Sequence, residues 1–220
     1  MKKLALLFTL AVLIAGTAFG GVITLTFEGL QNLEPIDNYY NGGLGGFGSG
    51  PGPNFGITFT SDSLAIISGA NGGTGNFSGS PTMPTVAFFL TGAGDTMNVA
   101  AGFMTGFSFY YSAINHVGFV SVYDGLGGTG NLLATLNLPI TPSGGSPECT
   151  YGAYCPWVPV GVAFSGTAQS VVFGGSANYI GFDNITLGAS IPTPGVPEPS
   201  TLALLAGGLG ALALRRFRKA

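Results

Sequence analysis

The chain has 220 residues, nine acidic and six basic residues, and a formal net charge of −3. All six basic residues lie in the first three or the last six positions, so residues 21–195 contain eight acids and neither lysine nor arginine. A body without cationic side chains excludes a nucleic-acid footprint and disfavours phosphate or sulfate recognition, which uses arginine forks. Neutral sugars, divalent cations and other protein surfaces remain as ligand classes.

The first segment of the chain is predicted to be a secretory signal peptide, residues 1–20. Lys2 and Lys3 precede an apolar stretch from Leu4 to Ile14, and small residues follow as far as Gly20. Cleavage after Gly20 fits this pattern, and cleavage after Ala18 is the alternative. The body that follows, residues 21–188, has the size of a single domain.

The body is predicted to be all-β. Its short apolar runs are separated by Gly, Asn, Ser and Pro, and no stretch shows a helical period. Polar and apolar residues alternate most clearly in residues 24–27, 107–111 and 119–123, as in strands with one buried face. The number of predicted strands is larger than one small sheet can hold. We therefore expect a two-sheet antiparallel β-sandwich of jelly-roll type. The predicted strands are 22–27, 56–60, 64–67, 85–90, 96–100, 106–112, 117–123, 132–138, 158–164, 170–173 and 179–187.

Three glycine-rich segments are predicted to be loops. Residues 124–131 indicate a hairpin loop, and residues 39–55 and 68–83 indicate two long loops. Long loops in compact domains are usually functional or mobile. Residues 189–196 are Pro-rich and predict an extended linker after the body.

Two cysteines, Cys149 and Cys155, are predicted to form a disulfide. They are six positions apart, and an exported body meets an oxidising compartment. The alternative, a redox or metal-binding pair, finds no further cysteine or nearby histidine to complete a ligand set.

The residues offer little for catalysis. His116 is the single histidine, and no Gly-x-Ser-x-Gly elbow accompanies it. A pair of carboxylates for glycoside hydrolysis would have to form across strands. We therefore predict no catalytic residue and a non-enzymatic protein, with a glycoside hydrolase as a further alternative.

Aromatic side chains suggest where a sugar could bind. Trp157, Tyr154 and Tyr151 lie in or beside the segment between the two cysteines, and Tyr39 and Tyr40 precede the first long loop. Sugar sites place aromatic rings against pyranose faces and add polar groups for the hydroxyls. We predict Trp157, Tyr154 and Tyr151 as the candidate platform, the alternative being that Trp157 is a core residue.

Two acids bracket the body. Glu28 follows the first strand in Thr26-Phe27-Glu28, and Asp183 lies in the last strand, in Phe182-Asp183-Asn184-Ile185. These signatures resemble the first and last strands of jelly-roll, galactose-binding-like and carbohydrate-binding modules. That resemblance implies a structural calcium ion with Glu28 and Asp183 as ligands, joined by backbone carbonyls and by Asp37 or Asn184. The alternative is that both carboxylates bond to backbone at the strand ends.

The last segment, residues 197–220, has three parts in order. Pro197, Glu198 and Pro199 come first, and an apolar run at residues 200–214 predicts a short membrane helix of roughly 22 Å. The basic cluster that follows would stay on the cytoplasmic side. It consists of Arg215, Arg216, Arg218 and Lys219.

This three-part tail resembles the PEP-CTERM sorting signal of Gram-negative bacteria; the alternative is an ordinary tail anchor. The resemblance implies that an exosortase recognises Pro197, Glu198 and Pro199 and removes the helix, with the basic cluster as the stop signal. It also implies export across the inner membrane, transient anchoring, and a place at the cell surface or in the extracellular matrix. There the expected partner is exopolysaccharide or another matrix component. We therefore predict a non-enzymatic structural component associated with exopolysaccharide or biofilm, the alternative being a dedicated carbohydrate-binding module.

Overall fold

The computed structural model describes residues 21–193, which form an all-β, two-sheet antiparallel sandwich, so the predicted fold class is confirmed. The predicted signal peptide and sorting tail lie outside the described residues. Every predicted strand is present, and the two-residue strand Glu34–Pro35 is additional because it is too short to show alternation. The strands are β1 Ile23–Leu25, β2 Glu34–Pro35, β3 Ile57–Phe59, β4 Ser63–Ile67, β5 Thr85–Phe89, β6 Gly94–Phe103, β7 Gly106–Ser112, β8 Gly118–Tyr123, β9 Leu132–Leu138, β10 Val158–Ala163, β11 Ala168–Gly175 and β12 Gly181–Leu187.

The strands divide into a seven-stranded and a five-stranded sheet. The seven-stranded sheet has the order β10-β7-β12-β5-β4-β2, and β1 also pairs with β12. The five-stranded sheet has the order β3-β6-β11-β8-β9. All the strand pairs are antiparallel, and most strands neighbour one that is distant in sequence.

The core between the sheets is largely aromatic. Phe109 of β7 packs edge-on against Phe173 of β11 and Phe182 of β12, at centroid distances of 6.1 and 5.6 Å. All three side chains are buried. Burial of each ring stabilises the fold by about 1.5–3 kcal/mol, so this aromatic group is a main source of adhesion between the sheets.

The first long loop, residues 39–55, is held by a buried carboxylate. Glu34 Oε1 accepts hydrogen bonds from the backbone N–H groups of Phe47 and Ser49, at 2.9 and 3.0 Å. Glu34 Oε2 accepts a third from Gln31 N at 2.6 Å. The loop therefore has a fixed shape although it is dense in glycine, and it presents Phe47 with its side chain 60% exposed.

The outer face of the seven-stranded sheet is covered by chain that follows the last strand. Ser108 Oγ donates a hydrogen bond to Ala189 O at 2.9 Å, and the hydroxyl groups of Thr24 and Thr193 are 2.6 Å apart. Gly161 leaves the space for this contact, because a Cβ there would overlap Ser190 O. We call residues 189–193 the stem; they are the described part of the predicted linker, and they lie against the body.

Candidate functional site

Two loops fold over the rest of that outer face and create a second hydrophobic cluster. Its buried members are Phe77 from the loop 68–83, Val86 from β5, and Trp157, which precedes β10. The rings of Phe77 and Trp157 pack edge to face at 5.8 Å. The sheet is therefore buried on both faces here, which a pattern of strict alternation does not predict.

Trp157 forms a wall of this cluster. Its Nε1–H donates to Ser78 O at 3.0 Å, and its six-membered ring packs on Gly181, where a Cβ would lie 2.8 Å from Cη2. Only 8% of the Trp157 surface is exposed. Most of the Trp157 side chain is therefore buried, as in the alternative interpretation that made it a core residue. One edge of the ring reaches the cleft described below.

The predicted disulfide between Cys149 and Cys155 is confirmed. It lies in the second covering loop, which is the segment between β9 and β10. Backbone hydrogen bonds from Ala153 N and Tyr154 N to Asn76 O, both at 3.1 Å, tie this loop to the loop 68–83. Tyr151 N donates to Ser78 Oγ at 3.1 Å. The two loops therefore form one cross-linked layer over the sheet.

A cleft of about 290 Å³ opens between this layer and the sheet. Aromatic rings and uncharged polar groups line it, and none of its lining residues is charged. The aromatic residues are Phe77, Phe88, Tyr154, Trp157 and Tyr179, and the polar residues are Thr74, Asn76 and Asn178. This combination of rings with amide and hydroxyl groups is suited to a neutral polyhydroxylated ligand.

The structure brings two of the three predicted platform residues together. Tyr154 and Trp157 line the cleft, whereas Tyr151 packs over Gly69 and is absent from its lining. Tyr39 and Tyr40 are buried in the main core, where the Tyr39 hydroxyl donates to Glu28 O and the Tyr40 hydroxyl accepts from Phe27 N.

Tyr179 is the most exposed aromatic ring of the cleft and was not predicted as a site residue. It is 39% exposed, and its other side packs against the His116 ring at a centroid distance of 4.0 Å. Asn178 beside it adopts φ +65° and donates its backbone N–H to Phe89 O. The sequence predicts that Tyr179 begins the last strand. In the structure that strand, β12, begins at Gly181, and Tyr179 lies in the loop before it, which places its ring at the cleft.

Glu28 and Asp183 lie close together at the point along β12 where its neighbouring strand changes from β5 to β1. β12 pairs with β5 at Phe182 and with β1 from Ile185 onward, and its pairing with β7 is irregular between Asp183 and Thr186. Such a junction interrupts the regular ladder, and the two carboxylates accept backbone N–H groups there. Asp183 binds Thr82 N and Asn184 N at 2.9 and 2.7 Å, and Glu28 binds Thr85 N at 3.0 Å.

The environment disfavours the charge of both carboxylates. Burial raises the pKa of Glu28, and hydrogen bonds from Thr85 offset this only in part. Burial also raises the pKa of Asp183 well above its usual range, against the bonds from Thr82 and Asn184, and the nearby charge of Glu28 adds to the rise. The two carboxylates are thus electrostatically coupled without a cationic side chain in the body.

The donor set at this junction is small for calcium, which takes six to eight oxygen ligands. Within residues 21–193, no group of three or more acidic, histidine or cysteine side chains is arranged to hold a metal ion. Asn184 Oδ1 lies beside the carboxylates and accepts a bond from Thr82 Oγ1 at 2.7 Å. Both carboxylates accept hydrogen bonds from backbone N–H groups, which is the alternative interpretation given for them from the sequence.

Comparisons with solved structures give distant similarities. A family 6 carbohydrate-binding module of Cellvibrio mixtus lichenase 5A, in complex with cellotriose, is 14% identical and aligns over 58% of this chain and 86% of its own, with a TM-score of 0.35. A family 11 module of Clostridium thermocellum, in complex with a mixed-linked tetrasaccharide, is 12% identical over 79% and 98% of the two chains, with a TM-score of 0.33.

The K3 cleaved adhesin domain of Lys-gingipain from Porphyromonas gingivalis is 14% identical over 76% of this chain and 91% of its own, with a TM-score of 0.32. TM-scores this low establish neither a shared topology nor a shared ligand. Among curated proteins, none matches this chain.

The C-terminal segment gives the informative match. In the part of the chain that the structure describes, no helix has the length and apolarity to cross a membrane. Residues 195–219, which follow that part, match the PEP-CTERM protein-sorting motif. The chain is therefore a protein marked for export by a C-terminal PEP-CTERM sorting motif, with a β-sandwich body in front of it.

Proposed function

We propose that the body is a non-enzymatic glycan-binding module that acts at the cell surface or in the extracellular matrix, and that its cleft binds a neutral polysaccharide. The observation that supports this most is the chemistry of the cleft, in which the rings of Tyr154, Trp157 and Tyr179 lie beside Asn76 and Asn178 without a charged group. Rings bind the apolar faces of pyranoses, and amides bind their hydroxyl groups.

The same cleft supports binding rather than cleavage. Glycoside hydrolysis uses two carboxylates that flank the scissile bond, and the cleft lining contains none. Glu28 and Asp183 are turned toward backbone N–H groups of the segment Thr82–Thr85 instead. We therefore expect a bound polysaccharide to be retained intact.

The sorting motif supports the proposed location. We propose that an exosortase recognises Pro197, Glu198 and Pro199 after export across the inner membrane of a Gram-negative bacterium and releases the body from the anchor. In this proposal the chain has the segments predicted from its sequence, which are a signal peptide at residues 1–20, the body at 21–188, a linker at 189–196 and the sorting signal at 197–220. In this proposal the released body joins the exopolysaccharide of the matrix or biofilm.

The test is co-sedimentation of residues 21–193, which contain both sheets and both hydrophobic clusters, with the exopolysaccharide of the producing cell. Cellotriose is the soluble probe for calorimetry. We expect binding without release of reducing ends, and at least roughly tenfold weaker binding for Tyr179→Ala, which removes one stacking ring. Tyr179→Phe keeps the ring and should keep most of the affinity.

The matched control is Phe47→Ala, which removes an exposed ring from the loop 39–55, outside the cleft. It should bind like the unchanged protein. Equal binding by Tyr179→Ala and the control would place any glycan site elsewhere, and release of reducing ends would show an enzyme.

Calcium at Glu28 and Asp183 remains a proposal. Burial raises the pKa of both carboxylates, the charge of Glu28 adds to the rise at Asp183, and a divalent cation bound between them would stabilise their ionised forms. If calcium binds, it raises the melting temperature of the body, chelator reverses the rise, and Glu28→Gln abolishes it. An unchanged melting temperature with excess calcium would leave both residues with a hydrogen-bonding role alone.

A further inference from the structure

The stem is held against the outer face of the seven-stranded sheet at both of its ends. At its start, Ser108 Oγ donates to Ala189 O at 2.9 Å. At its end, Asn184 Nδ2 donates to Thr193 O at 3.3 Å, and the hydroxyl groups of Thr193 and Thr24 are 2.6 Å apart. The last residue that the structure describes is therefore fixed to strands β1 and β12 of the body.

Few apolar side chains hold the stem in place. Pro192 is buried, but Ile191 is 76% exposed. Most of the other contacts of the stem are hydrogen bonds and the close approach of Ser190 to Gly161. Segments with few buried apolar contacts open locally at a fraction of the free energy of global unfolding. The stem can therefore leave the body while the sandwich stays folded.

The sorting motif begins directly after this attachment. The matched residues are 195–219, so a single residue, Pro194, separates the motif from Thr193. Pro197 is four residues from Thr193, which limits the distance between their Cα atoms to roughly 14 Å. A protease binds an extended stretch on both sides of the bond that it cleaves, and hydrogen-bonded backbone resists cleavage until it opens. While the stem is docked, the folded body therefore restricts access to the Pro-Glu-Pro element.

We propose that the stem is a strap that controls removal of the sorting tail, because the sorting protease acts on molecules whose stem has left the body. This inference rests on the proposed recognition of the Pro-Glu-Pro element by an exosortase and adds a step before it. The added step breaks hydrogen bonds only and precedes the cleavage itself. When opening and closing are fast relative to cleavage, the cleavage rate follows the fraction of open molecules. Body residues outside the motif, which hold the stem, thus set the rate at which the tail is removed.

The experiment follows processing of the full chain in the producing bacterium by pulse labelling and intact mass. Thr24→Cys with Thr193→Cys places two thiols where the hydroxyl groups are 2.6 Å apart, so oxidation during export locks the strap. We expect removal of the tail to be at least about tenfold slower in the locked protein, because its open fraction falls. Gly161→Ala, in which a Cβ would overlap Ser190 O, should open the strap and speed removal of the tail.

The matched control is Thr24→Ser with Thr193→Ser, which keeps a hydroxyl group at both positions and cannot form a crosslink. It should be processed like the unchanged protein. Peptide mapping without reductant verifies the new crosslink, and a melting temperature at or above that of the unchanged protein shows that the locked body folds. Hydrogen exchange at residues 189–193 measures strap opening independently of processing. It should be slower in the locked protein and faster in Gly161→Ala.

The outcomes separate the strap from the proposed processing. Removal of the tail at equal rates in the unchanged, locked and Gly161→Ala proteins would overturn the strap and leave exosortase processing in place. An unchanged protein that keeps residues 200–220 throughout the chase would overturn the proposed processing, and the strap with it. Equal slowing in the serine and cysteine pairs would show an effect of positions 24 and 193 themselves and contradict the strap. Failure of the two thiols to crosslink would contradict the docked position of the stem.

Discussion

The indole N–H of Trp157 donates to the carbonyl oxygen of Ser78 at 3.0 Å, joining the two loops that cover the seven-stranded sheet. Together with the backbone bonds of Tyr151, Ala153 and Tyr154, this bond links the segment before β10 to the loop between β4 and β5. Both loops supply residues to the cleft, so its shape depends on the layer that they form together.

Replacement of this tryptophan tests that dependence. Trp157→Ala should lower the free energy of unfolding by about 3–5 kcal/mol, because it removes a buried ring and its hydrogen bond. Trp157→Phe keeps much of the packing but leaves Ser78 O without its donor, at a cost of about 1–3 kcal/mol. Urea unfolding measures both, and equal stability of all three proteins would contradict a structural role.

The disulfide should stabilise the same layer. Cys149→Ser with Cys155→Ser should lower the free energy of unfolding by about 2 kcal/mol, since the bond closes a short ring and limits the unfolded chain. The paired loops remain held by the backbone bonds to Asn76 O. We therefore expect weaker glycan binding in proportion to loop opening, measured by hydrogen exchange at residues 149–155. Unchanged exchange and stability would show that the crosslink is redundant.

Asp95 makes stability depend on pH. Burial raises its pKa to about 7, the Ser63 hydroxyl offsetting this only in part, and its Oδ1 has no hydrogen-bond partner among residues 21–193. The folded protein thus binds this proton more tightly than the unfolded chain, whose carboxyl titrates near 3.8. Its contribution falls as pH rises from about 4 to about 7, by at most about 1.4 kcal/mol per pH unit.

Asp95→Asn removes that titration and should stabilise the body at pH 8 relative to the unchanged protein. The two proteins should differ less at pH 4, where Asp95 is protonated in the folded state. Chemical unfolding at both pH values provides the measurement. The same difference at both would show that the Asp95 carboxyl is not the titrating group.

Glu34 gives a dependence of the opposite sign. Burial raises its pKa, but hydrogen bonds from Ser49, Gln31 and Phe47 outweigh burial, so the pKa is lowered from 4.5. The stability that it contributes is present above about pH 4.5 and is lost as pH falls through the folded pKa. Glu34→Gln should cost about 1.5–3 kcal/mol at pH 7. It should increase proteolysis within residues 39–55, and a loop equally resistant in both proteins would contradict this anchor.

The stem can be displaced from the body by one methyl group. Gly161→Ala puts a Cβ against Ser190 O, and we expect proteinase K to cleave the variant faster between residues 189 and 193. Gly21→Ala is the control, because a Cβ at Gly21 meets nothing within 4 Å. Equal cleavage of both variants would show that the body does not hold the stem.

Much of this protein follows from local sequence. The alternation in β7 and β8, the glycine-rich turns and the two cysteines predicted the sandwich and its disulfide, because strand periodicity and short-range crosslinks are properties of neighbouring residues. The three-part tail, likewise, is a linear signal. The absence of lysine and arginine from residues 21–195 limited the possible ligands before any fold was known.

The site was decided by tertiary structure. Tyr179 and Asn76 are about a hundred residues apart in sequence, and no local pattern relates them. They meet because β12 lies beside β5 and because Trp157 ties the covering loops together. In the same way, Glu28 and Asp183 are neighbours only because the pairing partner of β12 changes from β5 to β1 between them. Which strands lie side by side depends on contacts distant in sequence, and those contacts decide which polar groups and rings share a surface.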